Sequence, residues 1–168
     1  FRSCDSRVHI TSIFGAETGE FFIHRNIANL VPPYAPNEDY HGSSAAIEYA
    51  VKNLNVAHII ILGHSNCGGV RLCHDLCSNH KSDDNDNDEF ISQWIDILKP
   101  GYERIDKSKT AEEQINQLEK EGVLISLENL IGFPFVKSAL ENGTLTIHGL
   151  WNDIGKGNVE YYDAKKRK

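Results

Sequence analysis

The stretch Val56-Ala57-His58-Ile59-Ile60-Ile61-Leu62-Gly63-His64-Ser65-Asn66-Cys67-Gly68-Gly69 decides the fold. Its first seven residues hold four β-branched side chains, Val56, Ile59, Ile60 and Ile61, and a glycine follows them. An apolar run of that length, closed by glycine, reads as a strand of a parallel sheet buried on both faces, here over Val56–Leu62. His64 and Cys67 then stand at the carboxyl end of the strand, where open α/β sheets gather their chemistry. A neutral imidazole and a thiolate three residues apart can turn toward one ion, and both suit Zn²⁺. Gly68 and Gly69 let the backbone come close to a ligand before the next helix, expected over Gly69–Cys77. The bland alternative, a buried histidine and a buried free thiol, is common in protein cores. It leaves their shared position at a strand end unexplained. Two donors do not complete a site, so a third must come from another segment.

Ser3-Cys4-Asp5-Ser6-Arg7 packs a thiol, a carboxylate and a guanidinium into four positions. Combined with Gly63-His64-Ser65-Asn66-Cys67-Gly68-Gly69, it resembles the paired motifs of the β-class carbonic anhydrases: a strand ending in Cys-x-Asp-x-Arg, then Gly-His-x-x-Cys-Gly-Gly some sixty residues later. The resemblance continues through Gly19–Tyr34 and Ser44–Ala50, which look like the plant-type branch, and through His148–Ile154. It covers nearly the whole chain. One position departs. Asp5 and Arg7 match the family's Asp-x-Arg, but the cysteine belongs two residues before the aspartate, where this chain has Ser3. Cys4 stands one residue late.

The resemblance implies a zinc enzyme for the reversible hydration of carbon dioxide to bicarbonate and a proton. Zn²⁺ would be held by His64, Cys67 and a donor from the first motif. Cys4 is the favoured third ligand. Because successive strand side chains face opposite ways, it needs a one-residue slip or a bulge to reach the metal. Otherwise Asp5 completes the set. In the family Asp5 and Arg7 form a gate: with the carboxylate held by the guanidinium, the fourth zinc position is free for water, and once released it ligates zinc. The plant-like stretches imply the open form as the resting state. Zinc lowers the pKa of its water to around 7. Two thiolates leave the centre nearly neutral and less acidifying than three imidazoles, so activity is expected to rise toward alkaline pH. Phe22, Ile27 and Tyr49 match positions that line the CO₂ pocket, partly across a dimer interface, and Gly68 and Gly69 would bring N–H groups near bicarbonate. Homodimers or homotetramers follow from that shared pocket. Two alternatives stay open: a related hydrolase of small linear molecules, and a non-catalytic or metal-deficient homologue, for which Ser3 is the support.

The bulk properties agree with such a domain. The 168 residues are enough for one domain that buries roughly 70% of its unfolded surface. A hydrophobic share of 40% with 24% charged residues is ordinary for a globular protein. The net charge of −7 argues against nucleic acid as a partner. No run of about twenty apolar residues spans a membrane, and no leader is recognisable. Four cysteines beside a His-x-x-Cys motif suggest metal thiolates in a reducing, cytoplasmic compartment rather than a disulfide framework. The chain begins inside a motif, as though an N-terminal segment were missing.

Around the central strand, the pattern predicts a doubly wound α/β domain with a mostly parallel sheet, flanking helices and a helical C-terminal extension. Strands are expected over Phe1–Cys4, over Gly19–Arg25 with Phe21, Phe22 and Ile23 as its apolar heart, over Thr144–Leu150 and, antiparallel, over Asn158–Tyr162. Helices are expected over Gly42–Leu54 with Ala46, Tyr49, Ala50 and Leu54 inward, over Phe90–Leu98 with a break at Lys99-Pro100-Gly101, over Thr110–Leu130 with Ile115, Leu118, Val123, Leu127 and Leu130 inward, and from Pro134 to the Asn142-Gly143 stop. Ser78–Glu89 alternates Asp and Asn but lacks the glycine and glutamate spacing of a calcium loop, and reads as a solvated connection. Cys73 and Cys77, four apart on one helix face, read as packing residues, and the Lys165–Lys168 tail as a basic end.

Overall fold

A computed structural model describes residues 1–37, 41–78 and 89–163. Strand β1 is short, Arg2–Ser3, and is followed by helix α1, Ile10–Phe14. Strand β2, Arg25–Asn26, leads through a 3₁₀ turn at Ile27–Asn29 to helix α2, Gly42–Glu48, which widens into a π-helical turn over Tyr49–Asn53. Strand β3 is His58–His64 and helix α3 is Gly68–Cys77. Helices α4, Glu89–Ile95, α5, Lys99–Tyr102, α6, Ala111–Ile131, and α7, Pro134–Glu141, precede strands β4, Thr146–Asp153, and β5, Asn158–Tyr161. The sheet order is β2-β1-β3-β4-β5, parallel except for the final β4–β5 pair. The architecture is therefore the α/β fold expected. The helices of the C-terminal half lie between β3 and β4 rather than after the sheet, and β5 is the last element described.

Helix α6 organises the core. Thr110 caps it: its hydroxyl accepts from the Glu113 N–H, and the Glu113 carboxylate accepts in turn from the Thr110 N–H. Its five expected inward residues are all buried: Val123, Leu127 and Leu130 pack with Ile59 and Ile61 of β3, whereas Ile115 and Leu118 join a second cluster with Cys67, Val70 and Leu98. Gly63 is required at the tightest point, since a Cβ there would sit 2.6 Å from Val123 Cγ2. On the opposite sheet face His58, Ile60, Thr146, His148 and Tyr161 are half-buried or exposed, while Leu62 and His64 further along β3 are buried.

Four expectations are corrected. The second strand covers only Arg25–Asn26, and Phe21, Phe22 and Ile23 are largely exposed. The ladder of this strand with β1 runs over Arg2↔Arg25 and Ser3↔Asn26. Helix α2 turns Ile47 and Ala50 inward but leaves Tyr49 and Leu54 exposed, because the π turn that starts at Tyr49 rotates the buried stripe. Lys99-Pro100-Gly101 does not break the helical path but starts α5, with Pro100 in a first turn where its missing N–H costs nothing. The central strand is displaced by two residues and ends at His64 itself. The readings of 79–88 and of the basic tail lie outside the described residues. Among those described, no single helix is long and apolar enough to cross a membrane.

Candidate metal centre

His64 is the last residue of β3, paired with Asn152 on β4 and 1% exposed. Its Nδ1 lies 2.9 Å from the Ser65 carbonyl oxygen. A carbonyl can only accept, so Nδ1 carries the proton and Nε2 keeps its lone pair. Nε2 is buried and has no hydrogen-bond partner. Burial also lowers the imidazole pKa, which keeps the ring neutral at neutral pH. A buried acceptor without a donor is costly, and a cation at Nε2 removes that cost.

The turn after β3 is braced on both sides. Ser65 N–H donates to the Asn152 carbonyl at 2.9 Å, and Ile154 N–H donates to Ser65 Oγ at 2.9 Å. Asn66 takes a positive φ of 56°, a conformation asparagine tolerates better than most residues. Cys67 follows, 3% exposed, at the entrance of α3. Burial pushes its thiol pKa up, while the amides of Val70 and Gly69 favour the thiolate. Gly69 is required by close packing, since a Cβ would lie 2.8 Å from Ile27 Cγ2, whereas the space in front of Gly68 is open. Both glycines thus serve the loop, one by contact and one by clearance.

Sequence reasoning missed Glu119. It lies on α6, 3% exposed, and its Oε1 accepts from the Cys67 N–H at 3.0 Å. Burial raises its carboxyl pKa to about 7. The acid therefore anchors the donor loop from below. A charged residue among the apolar positions of α6, one after Leu118, was the available signal.

The first motif approaches from β1. Arg7 clasps Asp5 side-on, Nε to Oδ1 at 2.9 Å and Nη2 to Oδ2 at 2.6 Å, and Nη2 also donates to the Asn66 carbonyl at 3.1 Å. This fork holds the Asp5 carboxyl well below the usual carboxylate range. Asp5 and His64 are close enough to affect each other's charge, as are Asp5 and Cys67. The structure therefore sets Asp5 and Arg7 against the loop that carries His64 and Cys67, through Arg7 Nη2 on the Asn66 carbonyl. It does not bring in Cys4. β1 pairs in regular register without a bulge, so Ser3 faces inward, 5% exposed, and Cys4 faces out into a groove with Arg25 and Ile27. The slip that Cys4 needs is not present. Among the described residues, no three His, Cys, Asp or Glu side chains are grouped to hold a metal. His64 Nε2 and the Cys67 thiol fit a soft cation as two donors, and the first motif contributes the weakest member of the set.

Phe22 and Tyr49 meet with ring centroids 5.9 Å apart, and both are about half exposed. Ile27 packs on Gly69, and its carbonyl accepts from Trp94 Nε1 at 2.8 Å. Phe22 and Ile27 line different cavities, so within one chain the three residues do not share a pocket.

Comparison with known proteins is consistent over nearly the whole chain. The family model described as Carbonic anhydrase matches residues 2–159. Beta carbonic anhydrase 3 of Arabidopsis thaliana is 38% identical over 166 residues, covering 97% of this chain. The chain spans 63% of that relative's length. Among solved structures, the β-carbonic anhydrase CcaA superposes with a TM-score of 0.82 at 29% identity, covering 99% of this chain and 79% of that one. One of two tetrameric β-carbonic anhydrases from Sordaria macrospora gives 0.75 at 30% identity, covering 97% and 78%. CafA of Aspergillus fumigatus gives 0.79 at 31% identity, covering 97% and 73%.

Proposed function

Because this chain belongs to the β-class of the carbonic anhydrase family, we propose that it catalyses the zinc-dependent, reversible hydration of carbon dioxide to bicarbonate and a proton. The observation that carries the reading is the buried, unpartnered Nε2 of His64, three residues before the buried Cys67, with Arg7 and Asp5 tied to the same loop. Zinc held there would supply Lewis-acid activation of water. The chain's own residues do the rest. His64 offers its neutral nitrogen, in a tautomer set by the Ser65 carbonyl. Cys67 gives up its proton to become a ligand, and Glu119 holds its backbone in place. Asp5, kept charged by Arg7, offers a carboxylate oxygen that would accept from the reacting water and orient it.

The Arg7–Asp5 fork supports an open arrangement, in which the carboxylate is occupied and does not compete for the metal. Phe22, Ile27 and Tyr49 suit a small, apolar, quadrupolar substrate. Their exposure, together with the tetrameric relatives, supports a dimer or tetramer in which a second copy covers them. The four unbridged cysteines suit a reducing, cytoplasmic setting.

The test is metal analysis beside a stopped-flow CO₂ hydration assay. Supplied with zinc, the chain is expected to take up one ion and to accelerate hydration, and chelation should remove both. Uptake should release protons and strengthen as pH rises, because burial keeps the Cys67 thiol protonated until a cation displaces the proton. A zinc-loaded protein without hydratase activity overturns the reading.

A further inference from the structure

Helix α3 carries two thiols that the metal centre does not use. Cys73 is 2% exposed and Cys77 half-buried, and their Sγ atoms lie 4.0 Å apart on one face of the helix. Both belong, as packing residues should, to the apolar cluster that holds Trp94, Ile97, Leu98 and Tyr102. Packing alone does not require two sulfurs to meet, and cations stand around them. Lys99 at the start of α5 and Lys107 beyond its end are both close enough to feel the charge of either sulfur. Asp96, paired with Lys99 at 2.8 Å, and the Tyr102 hydroxyl are coupled to the thiols as well. His74, between the cysteines in sequence, is turned to α6, its Nε2 3.2 Å from Gln114 Oε1.

We propose that Cys73 and Cys77 bind one soft monovalent cation, Cu(I), between their two thiolates. With metal–sulfur bonds of about 2.3 Å, two thiolates on one ion stand about 3.8 to 4.6 Å apart as the angle opens from tetrahedral to linear. The 4.0 Å gap falls in that range. A disulfide instead needs Cβ atoms about 3.5–4.5 Å apart. Residues four apart on a helix hold theirs about 5–6 Å apart, so oxidation would bend α3 and an intervening ion would not. Burial also raises the Cys73 thiol pKa far above its ordinary value, which makes the sulfur a poor nucleophile toward oxidants. Zn²⁺ seeks four donors. Among the described residues no third His, Cys, Asp or Glu joins the pair. Thiolates select Cu(I), which two of them satisfy. Binding sends both thiol protons to solvent, and the bis-thiolate complex keeps a single negative charge that Lys99 and Lys107 balance. The site is separate from the zinc loop, since Cys67 precedes Cys73 by six residues, about 9 Å along the helix axis.

The experiment is an anaerobic titration of the reduced, zinc-loaded chain with Cu(I), supplied as its tetrakis(acetonitrile) complex, in competition with bicinchoninate. One Cu(I) per chain is expected to be retained, with zinc content unchanged. Cys77→Ser, at a half-buried position, should keep the fold and weaken retention at least about a hundredfold, because one thiolate without its neighbour loses the advantage of chelation. Cys73→Ala should do the same where it folds. Replacing both Lys99 and Lys107 by Met should weaken copper several-fold, and Cys4→Ser should leave it unchanged. The proposal is overturned if bicinchoninate keeps all the copper, or if Cys77→Ser retains it as well as wild type. It is equally overturned if Cys4→Ser loses the ion, or if zinc leaves as copper binds, which would assign the ion to Cys67.

Discussion

The carboxyl ends of β3 and β1 are neighbours in the sheet and are held in different ways. β3 pairs residue for residue with β4 from His58 to His64, and the turn beyond it is tied to Asn152, Ile154 and Glu119. β1 contributes two ladder residues, and the chain beyond it is held by the side chain of Arg25 on three successive carbonyls. At the first end, packing from several sides decides where His64 and Cys67 point. At the second, strand alternation alone decides whether Ser3 or Cys4 faces the metal side. The difference teaches that one half of this centre is built by the core and the other by a single register choice.

The core-built half should be the harder to lose and the more damaging when lost. His64→Ala and Cys67→Ala are each expected to abolish zinc retention and hydratase activity, read by metal content after gel filtration. Either variant retaining a full complement of zinc would remove the centre from this loop.

Glu119→Gln probes the brace. The folded protein holds the Glu119 proton up to a pKa of about 7, against an ordinary value of 4.5. Between those values the folded state carries a proton that the unfolded chain has released. Stability therefore falls as pH rises through that window, by on the order of 3 kcal/mol in total. The glutamine variant should lack this slope in urea unfolding of metal-free protein at pH 4.5 to 8. Identical slopes in both proteins would mean that Glu119 is not held neutral by burial.

The register-built half is sharpened by exchanging its thiol. Ser3→Cys places a thiol at the inward position and should tighten zinc at least tenfold, about 1.4 kcal/mol, with a parallel gain in hydration. Cys4→Ser should change neither. If Cys4→Ser strips the metal and Ser3→Cys adds nothing, the chain slips by one residue on binding, and the two strand ends differ less than the structure indicates.

The smallest effect is expected at Arg7. Arg7→Ala should leave zinc bound but lower activity near neutral pH, because Asp5 is freed to compete for the metal. The fork itself contributes at most about 1 kcal/mol at a solvent-facing site. Since the Asp5 pKa is depressed in the folded state, that contribution is present above the ordinary carboxylate range and fades as pH falls through the lowered value. Activity unchanged between pH 6 and 9 (roughly the span over which zinc-bound water titrates) would remove Asp5 from any gating role.

Much of this protein was legible in the chain itself. The run Val56–Gly69 marked the central strand and the donor loop because β-branched residues and glycines restrict the backbone locally. The apolar stripe of α6 was legible for the same reason, as it depends on residues within a turn or two of each other. Tertiary structure decided the rest. The exposure of Phe21–Ile23 could not be read from their hydrophobicity, and the outward turn of Tyr49 depended on a π-helical widening that periodicity does not mark. Glu119 gained its place under Cys67 only when α6 crossed β3, 52 residues away in sequence. Whether Ser3 or Cys4 enters the centre is likewise set by hydrogen-bond register with β2 and β3. Side-chain type fixes what a residue can do to a metal, but pairing across strands fixes whether it gets there.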